Sequence, residues 1–185
     1  MRSTIAFQSP GAGFDEPIEM WLACHQRVRR FAALLERLRR HLQHSGPDEE
    51  AQLAAVSIRR YFNEAAPRHH EDEEVDLFPL LHQRCGEQER AVLEVLERVE
   101  REHLTMAERW RGLDGALARI SAGEYVELDE DAVGEFADGY DRHIVDEETM
   151  LLPALKRLLL APEWGEIGRS MAERRGLDWK GPIER

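Results

Sequence analysis

The chain has 185 residues, 42% of them hydrophobic and 34% charged, which suits one globular domain with a real core rather than a disordered segment. A formal net charge of -12 excludes the clustered Lys and Arg that phosphate binding requires, so neither nucleic acid nor an anionic membrane is an expected partner. Two cysteines, Cys24 and Cys85, exclude a disulfide framework. Together with a Met1–Phe14 segment that does not read as a signal peptide, and no apolar run approaching 18 residues, they point to the cytoplasm.

Residues 1–14 carry Ser, Pro and Gly and read as a loose arm. Pro17 suits a first helical turn, and Ile18, Trp21, Leu22, His25, Val28, Phe31, Leu35 and Leu38 recur at helical spacing to about Gln43. Ser45-Gly46-Pro47-Asp48 is a stop and turn, and a second helix begins near Asp48 with Leu53, Val56, Tyr61 and Phe62. At Pro67 this helix bends or restarts, with His69 in the next turn, and Pro79 bends it again. Beyond Gly86, a long helix over about Glu87–Ala122 carries Val92, Val95, Leu96, Val99, His103, Met106 and Trp110. Asp129 suits the N-cap of a helix through Phe136, Tyr140, His143 and Glu147 to about Leu160. A short final helix covers Glu163–Arg175. No segment alternates with period two. The expected class is all-α, an antiparallel up-down four-helix bundle over residues 15–160 followed by a C-terminal helix and tail over 161–185.

One signature occurs twice. Arg68-His69-x-x-Asp72-Glu73-Glu74-x-x-Leu77-Phe78-Pro79 returns as Arg142-His143-x-x-Asp146-Glu147-Glu148-x-x-Leu151-Leu152-Pro153, and the same 74-residue offset carries Phe62 onto Phe136. A His and a Glu four apart share one helical face, so His69 pairs with Glu73 and His143 with Glu147. Each copy follows a helix-borne histidine flanked by apolar residues, His25 and His103. Two such hairpins would bring four imidazoles and two carboxylates into one cavity. That donor set suits Fe, Mn, Zn or Cu, and coordination relieves the cost of burying six polar groups.

Single residues carry weaker arguments. Asp72 and Asp146 are lesser ligand alternatives, and Glu100, one turn before His103, is a reserve carboxylate. Glu74 and Glu148 point about 100° from the paired carboxylates, behind the ligands or into solvent. His41, His44 and His82 read as helix-end surface residues. His70, whose counterpart is Ile144, reads as a residue on the surface or behind the ligands. Cys24 and Cys85 read as packing residues, and Tyr140 as a hydrogen-bonding neighbour of the ligands.

The ordered set His25, His69-x-x-x-Glu73, His103 and His143-x-x-x-Glu147 resembles the hemerythrin family, in particular the bacterial HHE cation-binding domains. The resemblance implies a four-helix bundle with a non-haem di-iron centre. The two Fe ions would be bridged by Glu73, by Glu147 and by an oxo, hydroxo or water oxygen, with Zn or Mn as alternative occupants. Hemerythrins proper bind dioxygen and typically carry a second histidine four residues after the one on the third helix, where this chain has Ala107. That departure leaves one iron a protein ligand short. It points away from oxygen carriage and towards a site that binds or senses O2, NO or peroxide, as in relatives linked to oxidative or nitrosative stress. The alternatives are a di-iron oxidoreductase acting on the same molecules, an iron buffer, and a regulatory module that uses the metal structurally with a protein partner.

Overall fold

A computed structural model describes residues 13–179 and 181. Among these residues every regular element is helical, as the absence of period-two alternation requires. Helix α1 spans Pro17–Ser45, α2 Glu49–Arg60, α3 Ala66–Asp72, α4 Phe78–Arg84, α5 Arg90–Ser121, α6 Glu130–Asp146, α7 Leu152–Leu158 and α8 Ala161–Arg174. Local chemistry sets the boundaries. Asp48 and Asp129 each accept from a backbone N–H in the first turn of the helix they precede, Ala51 and Ala132. Gly46 and Gly123, at φ 72° and 85°, take the left-handed backbone that ends α1 and follows α5.

Each of the mid-run prolines lies in the first turn of a new α-helical segment. Pro67, Pro79 and Pro153 are each preceded by a widened π-turn, at Tyr61–Ala65, Glu73–Leu77 and Glu147–Leu151. A proline supplies no N–H and crowds the carbonyl four residues back. The wider turn absorbs this, with the N–H of Ala66, Phe78 and Leu152 reaching back to the carbonyls of Tyr61, Glu73 and Glu147. Helical hydrogen bonding thereby continues from α2 through α3 to α4 and from α6 to α7. The two later π-turns obey the sequence repeat. The first does not, since the position equivalent to Pro67 is Asp141 and lies inside α6.

Helix α1 packs on α2 and α6, and α5 packs on the same two, so the helical runs close a ring. Two apolar clusters fill its interior. One gathers Val28, Leu35, Ile58, Phe62, Trp110, Leu117 and Phe136. The other gathers Trp21, Leu77, Phe78, Leu96, Val99, Leu151 and Leu155, together with Ile167 and Met171 of α8. The C-terminal helix is therefore part of the core. Most of the expected N-terminal arm, residues 1–12, lies outside the described residues. Phe14 packs on the second cluster, and its carbonyl crosses α8 so closely at Gly168 that a Cβ there would lie 1.9 Å from the oxygen. On every helix that carries a repeated His or Glu, these polar residues fall between side chains of one cluster and side chains of the other. They form a polar layer separating two oily compartments.

Candidate metal centre

All six donors singled out in the sequence are buried, His25, Glu73 and Glu147 with no measurable exposure and His69, His103 and His143 at 4% or less. His25 comes from α1, His69 from α3, His103 from α5 and His143 from α6. Glu73 and Glu147 each open a π-turn, a feature frequent where a helix presents functional groups.

The carboxylates divide their oxygens between two sets of imidazoles. Glu73 Oε1 lies 3.2 Å from His69 Nε2 and 3.8 Å from His25 Nε2, while its Oε2 lies 3.4 Å from His103 Nε2. Glu147 Oε2 lies 3.2 Å from His25 Nε2, and its Oε1 lies 3.3 Å from His143 Nε2. The Nε2 atoms of His103 and His143 are 3.2 Å apart. Donors bonded to one ion at about 2.0–2.2 Å sit roughly 3.0–3.4 Å from one another, the spacing found here. Four of the converging atoms, His25 Nε2, Glu73 Oε2 and both oxygens of Glu147, are buried without a hydrogen-bond partner. Each would cost about 1–3 kcal/mol unsatisfied, a penalty that a bound cation removes. The residues therefore fit metal ions, in two groups whose ligand atoms lie within 4.8 Å of one another: His25, His69, Glu73 and Glu147, and His70, Glu73, His103 and His143.

A second ring of carboxylates aims the imidazoles. Glu148 Oε1 lies 3.0 Å from His25 Nδ1, and its repeat mate Glu74 lies 2.6 Å from His103 Nδ1. Glu102 lies 3.1 Å from His143 Nδ1. A carboxylate on Nδ1 fixes the tautomer that leaves Nε2 free for a metal and makes it a stronger donor. His69 breaks the pattern, its Nδ1 being buried without a partner. The residue before His103 is Glu102, whereas the residue before His25 is Cys24, a buried free thiol.

The electrostatics favour cations. Burial opposes charge on His25, but contacts with Glu147 and Glu73 outweigh it and raise its pKa to about 9. Burial likewise opposes charge on His103 and His143, and their carboxylate neighbours raise them to about 9 and about 10. Glu73 is pushed up by burial, yet His69 and contacts from His103 and His25 hold it well below the usual carboxylate range. At His69 burial outweighs the pull of Glu73 and Glu147 and drives the pKa down to about 4. A field that draws protons onto three imidazoles draws metal ions onto the same lone pairs, releasing those protons.

Several expectations move. Asp72 does not face the donors; it is held by Arg174 at the end of α8 and by Arg175 just beyond it, the latter at 2.6 Å. Asp146 pairs with Arg98 at 2.5 Å, and Glu100 pairs with His82 on the surface at 2.9 Å, so none of the three reserve carboxylates joins the cluster. Ala107 is exposed, outside the layer. His70 is drawn inward: its ring stacks on His103 with centroids 4.0 Å apart, and its Nε2 is buried. Trp21, read only as an apolar helix position, donates its indole N–H to Glu73 Oε1 at 2.5 Å. Its place one turn before His25 is the only sequence signal for that role. Glu102 had a clearer one, standing beside His103.

Residues 16–155 match the Hemerythrin HHE cation binding domain, and the chain belongs to that family. It is also 34% identical over 164 residues to an uncharacterized protein of Haemophilus influenzae, an alignment covering 89% of this chain and 92% of the relative.

Proposed function

We propose that the chain is a cytoplasmic non-haem di-iron protein that binds or senses O2, NO or peroxide. The helical runs would alternate up and down as an antiparallel four-helix bundle over residues 15–160. His25 and His69 would hold one iron, His103 and His143 the other, and Glu73 and Glu147 would bridge them. The observation that carries this reading is the division of each buried carboxylate, one oxygen towards each histidine pair. A pair of irons supplies electrons and open coordination positions for a small oxidant. The protein fixes the imidazoles through Glu148, Glu74 and Glu102, neutralises the ions with two buried carboxylates, and excludes bulk water with the apolar cores on either side.

The test is elemental analysis of the purified chain, with optical spectra in air and after anaerobic reduction. Two irons per chain, and near-ultraviolet absorption that bleaches on reduction, support the reading. Zinc or a single colourless ion would turn it towards a structural or regulatory metal, and no metal after reconstitution would overturn it. Repeated turnover of O2, peroxide or NO would move the assignment to an oxidoreductase, and iron taken up far beyond two per chain would move it to a buffer.

A further inference from the structure

We infer that His70 is a hydrogen-bonding residue for the small molecule held at the His103/His143 side of the centre, and not itself a metal ligand. The inference rests on the di-iron reading above. One nitrogen of His70 lies within 4.8 Å of donor atoms of Glu73, His103 and His143, and its Nε2 is buried with no hydrogen-bond partner. A buried, unpaired imidazole nitrogen beside a metal-binding cluster is costly unless something bonds to it.

That something is not the ion. The His70 and His103 rings are near parallel, 10° apart, with centroids 4.0 Å apart. A metal bonds an imidazole in the ring plane, at about 2.0–2.1 Å from nitrogen. An ion in the plane of His103 therefore lies well outside the plane of His70 while the two remain stacked. A small molecule held beside such an ion would come within reach of the unpaired His70 nitrogen.

The repeat makes this feature one-sided. The position equivalent to His70 is Ile144, fully buried within the first apolar cluster. Ile144 offers the His25/His69 side no hydrogen bond at this position, which favours the His103/His143 side for the small molecule. His70 also follows the π-turn Tyr61–Ala65, the one π-turn the second half lacks, which resets the rotation of α3 relative to α2.

The experiment uses iron-loaded protein, measuring iron per chain and azide affinity by optical titration. Wild type is measured first, so a failure of the di-iron reading is seen there and takes this inference with it. His70→Ala is expected to keep the wild-type iron content and to weaken azide about tenfold, the loss of one hydrogen bond to a charged group. His70→Gln keeps an N–H donor and is expected to recover most of that affinity, which a purely structural role would not restore. Loss of an iron in both variants would make His70 a ligand, and unchanged azide affinity in His70→Ala would leave it no role at the site. Either result overturns the inference.

Discussion

Phe62 and Phe136, equivalent residues of the two halves, meet edge to face with ring centroids 5.0 Å apart. Equivalent residues touch only near the axis that relates their halves, so this contact marks a pseudo-twofold running through the core. The division of the carboxylates follows the same axis: what Glu73 does for His69 and His103, Glu147 does for His143 and His25.

The ligand assignment is tested by single substitutions. His69→Ala and His143→Ala are expected to halve or abolish metal content by elemental analysis, whereas His44→Ala, at an exposed helix end, leaves it unchanged. Two irons retained by either ligand variant would contradict the assignment.

Trp21→Phe keeps the ring packed against the second core but removes the donor to Glu73 Oε1. The expected cost is about 1–3 kcal/mol in urea unfolding of the metal-free chain, where that oxygen has fewest other partners. In the loaded protein the same variant is expected to retain metal while shifting the reduction potential of the centre, measured by redox titration.

Asp72→Ala removes the carboxylate that Arg174 and Arg175 share, leaving Arg174 to Asp76 and Arg175 to the Met171 carbonyl. Losing the shared carboxylate costs about 1.5–3 kcal/mol, the range for hydrogen bonds to charged groups. Limited proteolysis should then cut within α8 before the rest of the chain, and thermal melting should begin earlier.

Acid sensitivity has an identifiable contributor outside the centre. Asp114 accepts from Arg59 at 2.7 Å and from Asn63 at 3.0 Å, and the bond from Arg59 chiefly lowers its pKa. A depressed carboxylate contributes stability that is present above the unfolded value, near 3.9, and is lost as pH falls through the folded value. Asp114→Asn should therefore lower stability at neutral pH by on the order of 0.5 kcal/mol, as suits a partly exposed pair, and flatten the acid limb of a stability–pH profile.

The local grammar of the chain was legible in its sequence. The caps at Asp48 and Asp129 and the stops at Gly46 and Gly123 act within a turn of themselves, and a histidine and glutamate four apart announce a shared face. The two His–Glu pairs stood out because the 74-residue repeat carries one onto the other, whereas His25 and His103, 78 residues apart, stood out only by their apolar helical flanks. What the sequence hid was long-range or conformational. Asp72 is tied to residues more than 100 positions later, and no spacing rule reaches that far. His70 stands 100° from His69 on an ideal helix, so its inward turn needed the stacking partner on α5 to be seen. The widened turns ahead of the prolines were hidden too, because propensity alone does not reveal how a helix accommodates a missing N–H.

The layer of polar donors between the two apolar compartments gives metal occupancy a mechanical meaning. Each compartment can exclude water on its own account, but the floor they share holds buried donors that lack hydrogen-bond partners when no cation holds them. Ions there act as mortar between two courses of masonry. With them bound the chain is expected to melt more cooperatively than without them, when only the helices that run through both compartments join the two. Iron supply would then be read out as cooperativity of the whole fold, before any oxidant arrives.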